Sequence, residues 1–486
     1  MQFKFTKFAT KLIASGIISL PIAAHANDSS ELEELRNLVQ ELSQQVKILA
    51  RKGEINSEET TAAKKITPVV KASENGFGLE SADGQNVIKL RGLLHVDHRN
   101  YSDVNGLGSD GANTDGFDFR RIRPTIEGTL LGQYDFRFTP EFGEAKTANA
   151  TSTSGIADAY IDARFEPSLK LRAGKFKPFV GLERLQSGAD IKFIERSYVS
   201  NNILPNRDLG IAIHGDVFAA NLNYAVGIYN GVADGGDNST NQDTNVDKEY
   251  SARVFTTPFK DSDSAFAGLG FGLAGTYGNF KGTTAATGLP SYKTAGQQSN
   301  FFTYATGSIA NGARARIAPQ AYYYYGPLGV IAEYARVSQA VSNGTSSEKL
   351  GNDAWQIAAS YFLTGEDAAF KGVKPKQVFS TNGGGWGAWE LVARYQQNNI
   401  DHDAFSTATT TRYADPRNNA QSAKSWAAGV NCYLNQNVKL VLNYEQTRFD
   451  GGGQSDATGK LGSGLFTNIT DRPNEKTLFS RLQLAY

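Results

Sequence analysis

Strand-length runs with one apolar face and one charged face recur from Phe77 to the last residue, and this pattern limits the chain most. In 169–173, Leu169, Leu171 and Ala173 fall on one side while Lys170 and Arg172 fall on the other. Ile88, Leu90, Leu94 and Val96 oppose Lys89, Arg91, His95 and Asp97, and Ile122, Ile126 and Leu130 oppose Arg121, Arg123, Glu127 and Thr129. The final run sets Leu478, Leu482, Leu484 and Tyr486 against Arg481 and Gln483. A fully charged strand face has no place in a water-soluble core. It suits a wall with lipid on one side and a water-filled lumen on the other.

Sixteen such segments can be placed. One set lies near 87–99, 134–142, 169–176, 221–229, 268–280, 328–338, 386–397 and 437–449. The set running oppositely lies near 117–130, 156–165, 208–217, 248–257, 313–325, 351–363, 424–433 and 475–486. Short links (131–133, 166–168, 326–327, 434–436) alternate with long ones rich in Gly, Asn, Asp, Ser and Thr. Short turns at one rim and long loops at the other predict an all-β, antiparallel transmembrane barrel of sixteen strands. The link 364–385 is long yet falls on the short-turn side, which keeps eighteen strands as an alternative.

Composition agrees. Mean hydropathy is −0.38, and no apolar run long enough for a membrane helix follows the N-terminus. The 50 Gly serve turns and close strand contacts, while 28 Phe, 21 Tyr and 4 Trp can supply interfacial girdles. The 49 Lys and Arg balance 49 Asp and Glu, leaving no global basic footprint for nucleic acid. One cysteine, Cys432, allows no intramolecular disulfide.

Ahead of the barrel, residues 1–26 read as a signal peptide. Lys4, Lys7 and Lys11 precede an apolar segment, and Ala24-His25-Ala26 forms a cleavage site that would start the mature chain at Asn27. This predicts export to the outer membrane. Leu32, Leu35, Val39, Leu42, Val46 and Leu49 then follow heptad spacing, predicting a short coiled-coil helix over 27–52 in the periplasm. Val at a with Leu at d favours dimers in a free peptide. The stretch 53–75 has no apolar period and reads as a linker before a barrel domain spanning 76–486.

The pieces FRRIRPTIEGTL (119–130), YDFRFTPEF (134–142), IADAYIDARF (156–165), LKLRAGKFKPFVGLERL (169–185), IERS (194–197), PQAYYYYGPLGVIAEY (319–334) and NEKTLFSRLQLAY (474–486) together resemble the phosphate-selective porin O and P family. The resemblance implies a sixteen-stranded passive diffusion channel, a homotrimer among outer-membrane lipids, with cations lining the pore and a third loop folded inward. It also implies passage of inorganic anions such as phosphate or polyphosphate, without a cofactor. Parity places Arg121, Arg123, Arg137, Arg172, Arg314 and Arg316 toward the lumen, and the inward loop would carry Lys175, Lys177, Arg184 and Arg196. Arginine's planar fork suits phosphate because it bonds two oxygens at once. The acids Glu127, Asp158 and Asp162 interrupt the basic positions, which argues for a general anion porin over a phosphate-selective one.

Other motifs carry little. Gly270-x-Gly272-x-x-Gly275 opens no helix, so it reads as small-residue packing within a strand. The acidic stretch 234–243 reads as a solvated turn before a Ca²⁺ loop. His95 and His98 form a weak metal pair, and His214 is the one thin candidate for a barrel hydrolase. An adhesive barrel is the other rival; it would conduct no current.

Overall fold

The computed structural model describes residues 29–73, 76–102, 113–143, 155–238, 246–405, 412–455 and 469–486. The expected signal peptide and cleavage site lie outside them. The chain divides into two compact units, Met1–Thr67 and Pro68–Tyr486.

The first unit holds one helix, α1 (Ser29–Ile66). It continues past residue 52, through most of the stretch read as a linker. Helix propensity explains this, because Glu, Ala and Lys dominate 54–66 and need no apolar stripe to favour a helix. Pro68 then disfavours helical geometry at Thr67. Leu35, Leu42 and Leu49 are exposed along α1, each by more than half.

The second unit is a closed antiparallel barrel of sixteen strands. In chain order these are β1 (Val87–Ser102), β2 (Gly116–Leu130), β3 (Tyr134–Glu141), β4 (Gly155–Glu166), β5 (Leu169–Phe176), β6 (Asp208–Val217), β7 (Leu222–Tyr229) and β8 (Glu249–Thr256). They continue with β9 (Leu269–Lys281), β10 (Ser308–Tyr325), β11 (Leu328–Asn343), β12 (Ser346–Phe362), β13 (Ala388–Asn399), β14 (Ala420–Tyr433), β15 (Val438–Ser455) and β16 (Glu475–Ala485). Each pairs with its neighbour, and β16 closes on β1 from Lys476↔Ser102 to Ala485↔Leu93. Leu90 and its neighbours on β1 extend beyond the end of β16, and the strand Gly76–Glu80 pairs there, so that edge is not left bare. At the seam Tyr486 lies over Gly92, where a Cβ would sit 2.5 Å from the ring.

All sixteen expected segments are strands. The eighteen-strand alternative does not occur, since 363–387 forms no strand. Its sequence has no alternation and carries Pro375 and the run Gly383–Gly385. β11 and β12 reach further than expected and meet across the two residues Gly344 and Thr345.

The wall is inverted relative to a soluble protein. Ile88, Leu90, Ile126, Ile161, Leu171, Ile213, Leu273 and Leu482 are exposed on the outside. Inward positions hold buried Arg121, Asp162, Arg253, Glu333, Arg394 and Glu445. Exposed Phe165, Phe218, Tyr325 and Trp386 mark the short-turn rim. His95 and His98 fall on opposite faces, His95 fully buried and His98 against Phe117, so they cannot share a metal.

Segments of the chain itself occupy part of the lumen. The third loop, 177–207, and the loop after β9 fold inside and pack together. Val180, Tyr198, Ile203 and Leu204 meet Tyr292, Phe301 and Phe302 over small residues of the wall, Ala318, Ala335 and Ala354. Gly174 starts this inward turn. Its φ of 130° suits glycine, and a Cβ there would lie 2.2 Å from the Ala159 carbonyl.

Candidate functional site: a cationic cavity beside the third loop

The third loop lies against the wall opposite its root. The Glu333 carboxylate on β11 accepts from the backbone N–H groups of Leu182 (2.6 Å) and Glu183 (3.2 Å). Gln396 on β13 accepts from Tyr198 N (2.8 Å), and Asn443 on β15 from Ile194 N (2.9 Å). Lys439 donates to the carbonyls of Ala189 and Ile191. Each bond satisfies a backbone group that the loop would otherwise bury unpaired.

Glu195 is the loop's strongest tie. Arg120 bonds it with two nitrogens (2.7 and 3.1 Å), Arg99 adds a third bond (2.6 Å), and Arg394 donates to its carbonyl (3.0 Å). Burial works to raise the Glu195 carboxyl, but the Arg120 and Arg99 guanidiniums hold it well below the ordinary range. Strict alternation would send Arg120 outward. A bulge in β2, where His95 pairs Arg121 and Val96 pairs Phe119, turns it in.

With the loop on that side, a cavity of about 610 Å³ remains between it, the inner faces of β1 to β5, and the short-turn rim. Eight cations line it: Arg91, Arg123, Arg137, Arg172, Lys177, Arg207, Lys371 and Lys374. Its own carboxylates are Asp158 and Asp190.

The arginines are paired. Arg123 bonds Glu141, Arg91 bonds Glu127, and Arg137 stands 3.6 Å from Glu127. Arg207 reaches Asp158 at 3.0 Å, and Arg172 donates to Asp162 through Nε at 3.2 Å. Arg172 also lies 4.2 Å from the Tyr160 ring centroid and 5.2 Å from that of Phe179. Glu127, Glu141 and Asp162 offset three of the eight lining charges from behind, and Asp158 and Asp190 offset two more. By formal charge the eight lining cations outnumber these five carboxylates by three.

Of the ten residues expected in the pore, Arg123, Arg137, Arg172 and Lys177 line this cavity. The others sit elsewhere. Arg121 is buried beneath Gly188 of the loop and bonds His95 Nδ1 at 3.1 Å. Lys175 donates to the Asn238 carbonyl (2.6 Å). Arg184 bonds Asn206 (2.9 Å) and the Ser200 carbonyl, and Arg196 bonds the carbonyls of Glu183 and Gln186. These two hold the loop's own backbone, so the loop delivers less charge to the cavity than expected. Arg314 and Arg316 lie across the barrel on β10, beside Glu249, with Arg316 also bonded to Asp234. Asp234 thereby serves an ion pair; residues 239–243 of the acidic stretch lie outside the described residues.

Arg91, Arg120, Arg207, Lys371 and Lys374 were missing from the expected set. Parity alone would have found Arg91. No local signal marks Arg207, which follows the aperiodic loop, or the two lysines, which lie in the long turn-side link.

His214 bonds Asp162 at 2.9 Å and stacks with Phe179, with no serine among its bonds. Among the described residues no group of three His, Cys, Asp or Glu side chains could hold a metal ion.

A family model described as phosphate-selective porin O and P matches residues 88–459. No curated protein matches the chain. Solved structures do. The outer-membrane channel DcaP of Acinetobacter baumannii aligns at 10% identity and TM-score 0.50, over 86% of this chain and 99% of that one. OmpT of Vibrio cholerae in its trimer form aligns at 10% identity and TM-score 0.48, over 82% and 99%. An anion-selective porin from Comamonas acidovorans aligns at 11% identity and TM-score 0.47, over 82% and 100%. At these identities the likeness is one of fold. With the family match spanning most of its length on a closed, inverted barrel, the chain belongs to the phosphate-selective porin O and P family and is an outer-membrane porin, a channel and not an enzyme.

Proposed function

We propose that this porin passes small anions in general, with a modest preference over cations, and is not built to select phosphate. The pairing of Arg123, Arg137, Arg172 and Arg207 with carboxylates carries this reading. Selective recognition of phosphate needs guanidinium forks whose donors are free to replace water around the ion. Here a carboxylate already occupies part of the Arg123, Arg172 and Arg207 forks and another stands 3.6 Å from Arg137, and what remains is a positive field that favours negative ions without regard to shape.

Reversal potential across a KCl gradient in a planar bilayer tests the preference, and added phosphate tests the selectivity. Chloride should be favoured over potassium, and millimolar phosphate should leave the chloride current intact. Block by phosphate that disappears in Arg123→Ala would instead establish a phosphate site.

The same reading takes the protein as a homotrimer with α1 as a periplasmic arm, exported by the segment 1–26. Supporting it, the heptad leucines Leu35, Leu42 and Leu49 are exposed along α1. A stripe of that kind is stabilised by other copies of itself. Native mass measurement of the protein lacking 27–75 should still report trimers if wall contacts dominate assembly.

A further inference from the structure

The outer face of β14 to β16 carries positive charge on the side of the wall that meets lipid. Lys424 on β14 and Arg448 on β15 stand opposite each other in the register. Their neighbours Ala423, Ser425, Thr447 and Phe449 are buried on the inner face, so both cations point away from the lumen. Lys476 on β16 follows one step away, since it pairs with Gln446, the outward residue two before Arg448.

The rings beside these cations set their depth. Trp426, two residues nearer mid-wall than Lys424, lies 5.4 Å from Tyr444 between centroids. Tyr395 on β13 pairs with Trp426, and Trp355 on β12 lies 5.4 Å from Tyr395. Outward rings of this kind, on the long-loop side, form the belt at the lipid–water boundary of the outer leaflet. On the mid-wall side of them Leu440, Leu442, Leu478 and Leu482 are exposed. Cations just beyond the belt therefore lie at the depth of lipid headgroup phosphates.

The wall does not settle these charges by itself. Like charges directly opposite each other in a sheet repel. Asp450 bonds Lys424 at 2.8 Å and offsets one of them, while among the described residues Arg448 bonds no carboxylate. Arg448 is exposed, so its planar fork is open to an anion from the lipid side. Arg336, an outward arginine on β11, stands instead opposite an acid, Asp353.

We propose that Lys424, Arg448 and Lys476 hold the phosphate of a phosphorylated glycolipid of the outer leaflet, of the lipid A class. The phosphate sits between Lys424 and Arg448 and removes their repulsion, and the acyl chains lie along the leucines beyond the rings. The lumen and its ion preference have no part in this.

Native mass spectra of the full chain in detergent test it, with bisphosphorylated lipid A, its dephosphorylated form and inorganic phosphate as probes. The parent should retain the phosphorylated lipid, shed the dephosphorylated one, and keep its lipid against equimolar inorganic phosphate. Lys424→Gln/Arg448→Gln, shown by heat-modifiable gel mobility to be a folded barrel, should bind that lipid at least about tenfold more weakly. The exchanged pair Lys424→Arg/Arg448→Lys should bind as the parent does because charge is kept, and Arg336→Gln because it lies off the site. Equal retention of the dephosphorylated lipid by the parent, or undiminished binding by the double Gln variant, would overturn the proposal. Displacement by equimolar inorganic phosphate would also overturn it, leaving a site for the ion alone. So would a loss of lipid seen only where the variant separates into single chains, since the patch would then join copies of this chain.

Discussion

Arg172 and Arg316 are both inward guanidiniums on the barrel wall, and both are bonded to carboxylates. Arg172 lies on the half of the lumen that remains open, under Tyr160 and Phe179, and borders the cavity. Arg316 lies on the half that the loops fill, fully buried among Asp234, Glu249, Thr276 and the Val232 carbonyl. The first can exchange partners with a passing ion. The second is a structural rivet, because any vacancy there would strand two acids away from water. An inward charge thus becomes a pore charge only where no loop covers it.

The widest gap between the two halves should be in stability. Arg316→Ala leaves Asp234 and Glu249 without their main partner and should cost about 3–5 kcal/mol. Arg172→Ala, beside the cavity, should cost less, about 1–3 kcal/mol, since the buried Asp162 keeps His214 as a partner. Urea midpoints of the folded barrel in detergent would measure both, and equal losses would erase the distinction.

The outward face gives the next effect. Leu171 stands one residue from Arg172 and faces away from the lumen. Leu171→Arg should cost about 2–4 kcal/mol if it lies near mid-membrane, whereas Arg172→Leu should change ion passage and keep the fold. Similar damage from both would mean that the strand is buried on two sides.

Selectivity sharpens the comparison within the lumen. Replacing Arg123 and Arg137 together by Gln should lower chloride preference by about threefold at low salt, and less at 1 M, where screening falls to about 3 Å. Arg184→Gln should leave the reversal potential nearly unchanged, because its donors are spent on Asn206 and the Ser200 carbonyl. A larger shift from Arg184 than from the wall pair would return the selectivity to the loop.

The smallest effect concerns pH. Burial, then the nearby Arg196 and Arg207 guanidiniums, push the Lys177 ammonium well below its ordinary value. It is charged at low pH and loses its proton as pH rises through that lowered value. Chloride preference should therefore weaken slightly on the alkaline side, in steps smaller than the loss of Arg123 and Arg137. Lys177→Arg should remove that dependence, and its persistence would assign the titration to another group.

The wall was legible residue by residue. An alternation of two is a property of the local backbone, and a bilayer outside with polar contents inside enforces it at every strand. Leu169 to Ala173, Ile88 to Asp97 and Leu478 to Leu484 therefore showed their faces without any knowledge of neighbours. Parity failed where the backbone itself departed from the period, as at the bulge that turns Arg120 toward Glu195. The contents of the lumen are a different problem. Whether Arg172 meets a cavity and Arg316 a buried acid depends on where 177–207, 281–307 and 363–387 come to rest. Those segments have no period to read, and contacts with residues far along the chain hold them, as Glu333 does for Leu182 and Gln186 for Phe370. The sequence by itself determined the barrel and the sign of its inner face. Only the tertiary structure decided which inward charges remain beside the cavity, because packing between distant segments fills part of the lumen.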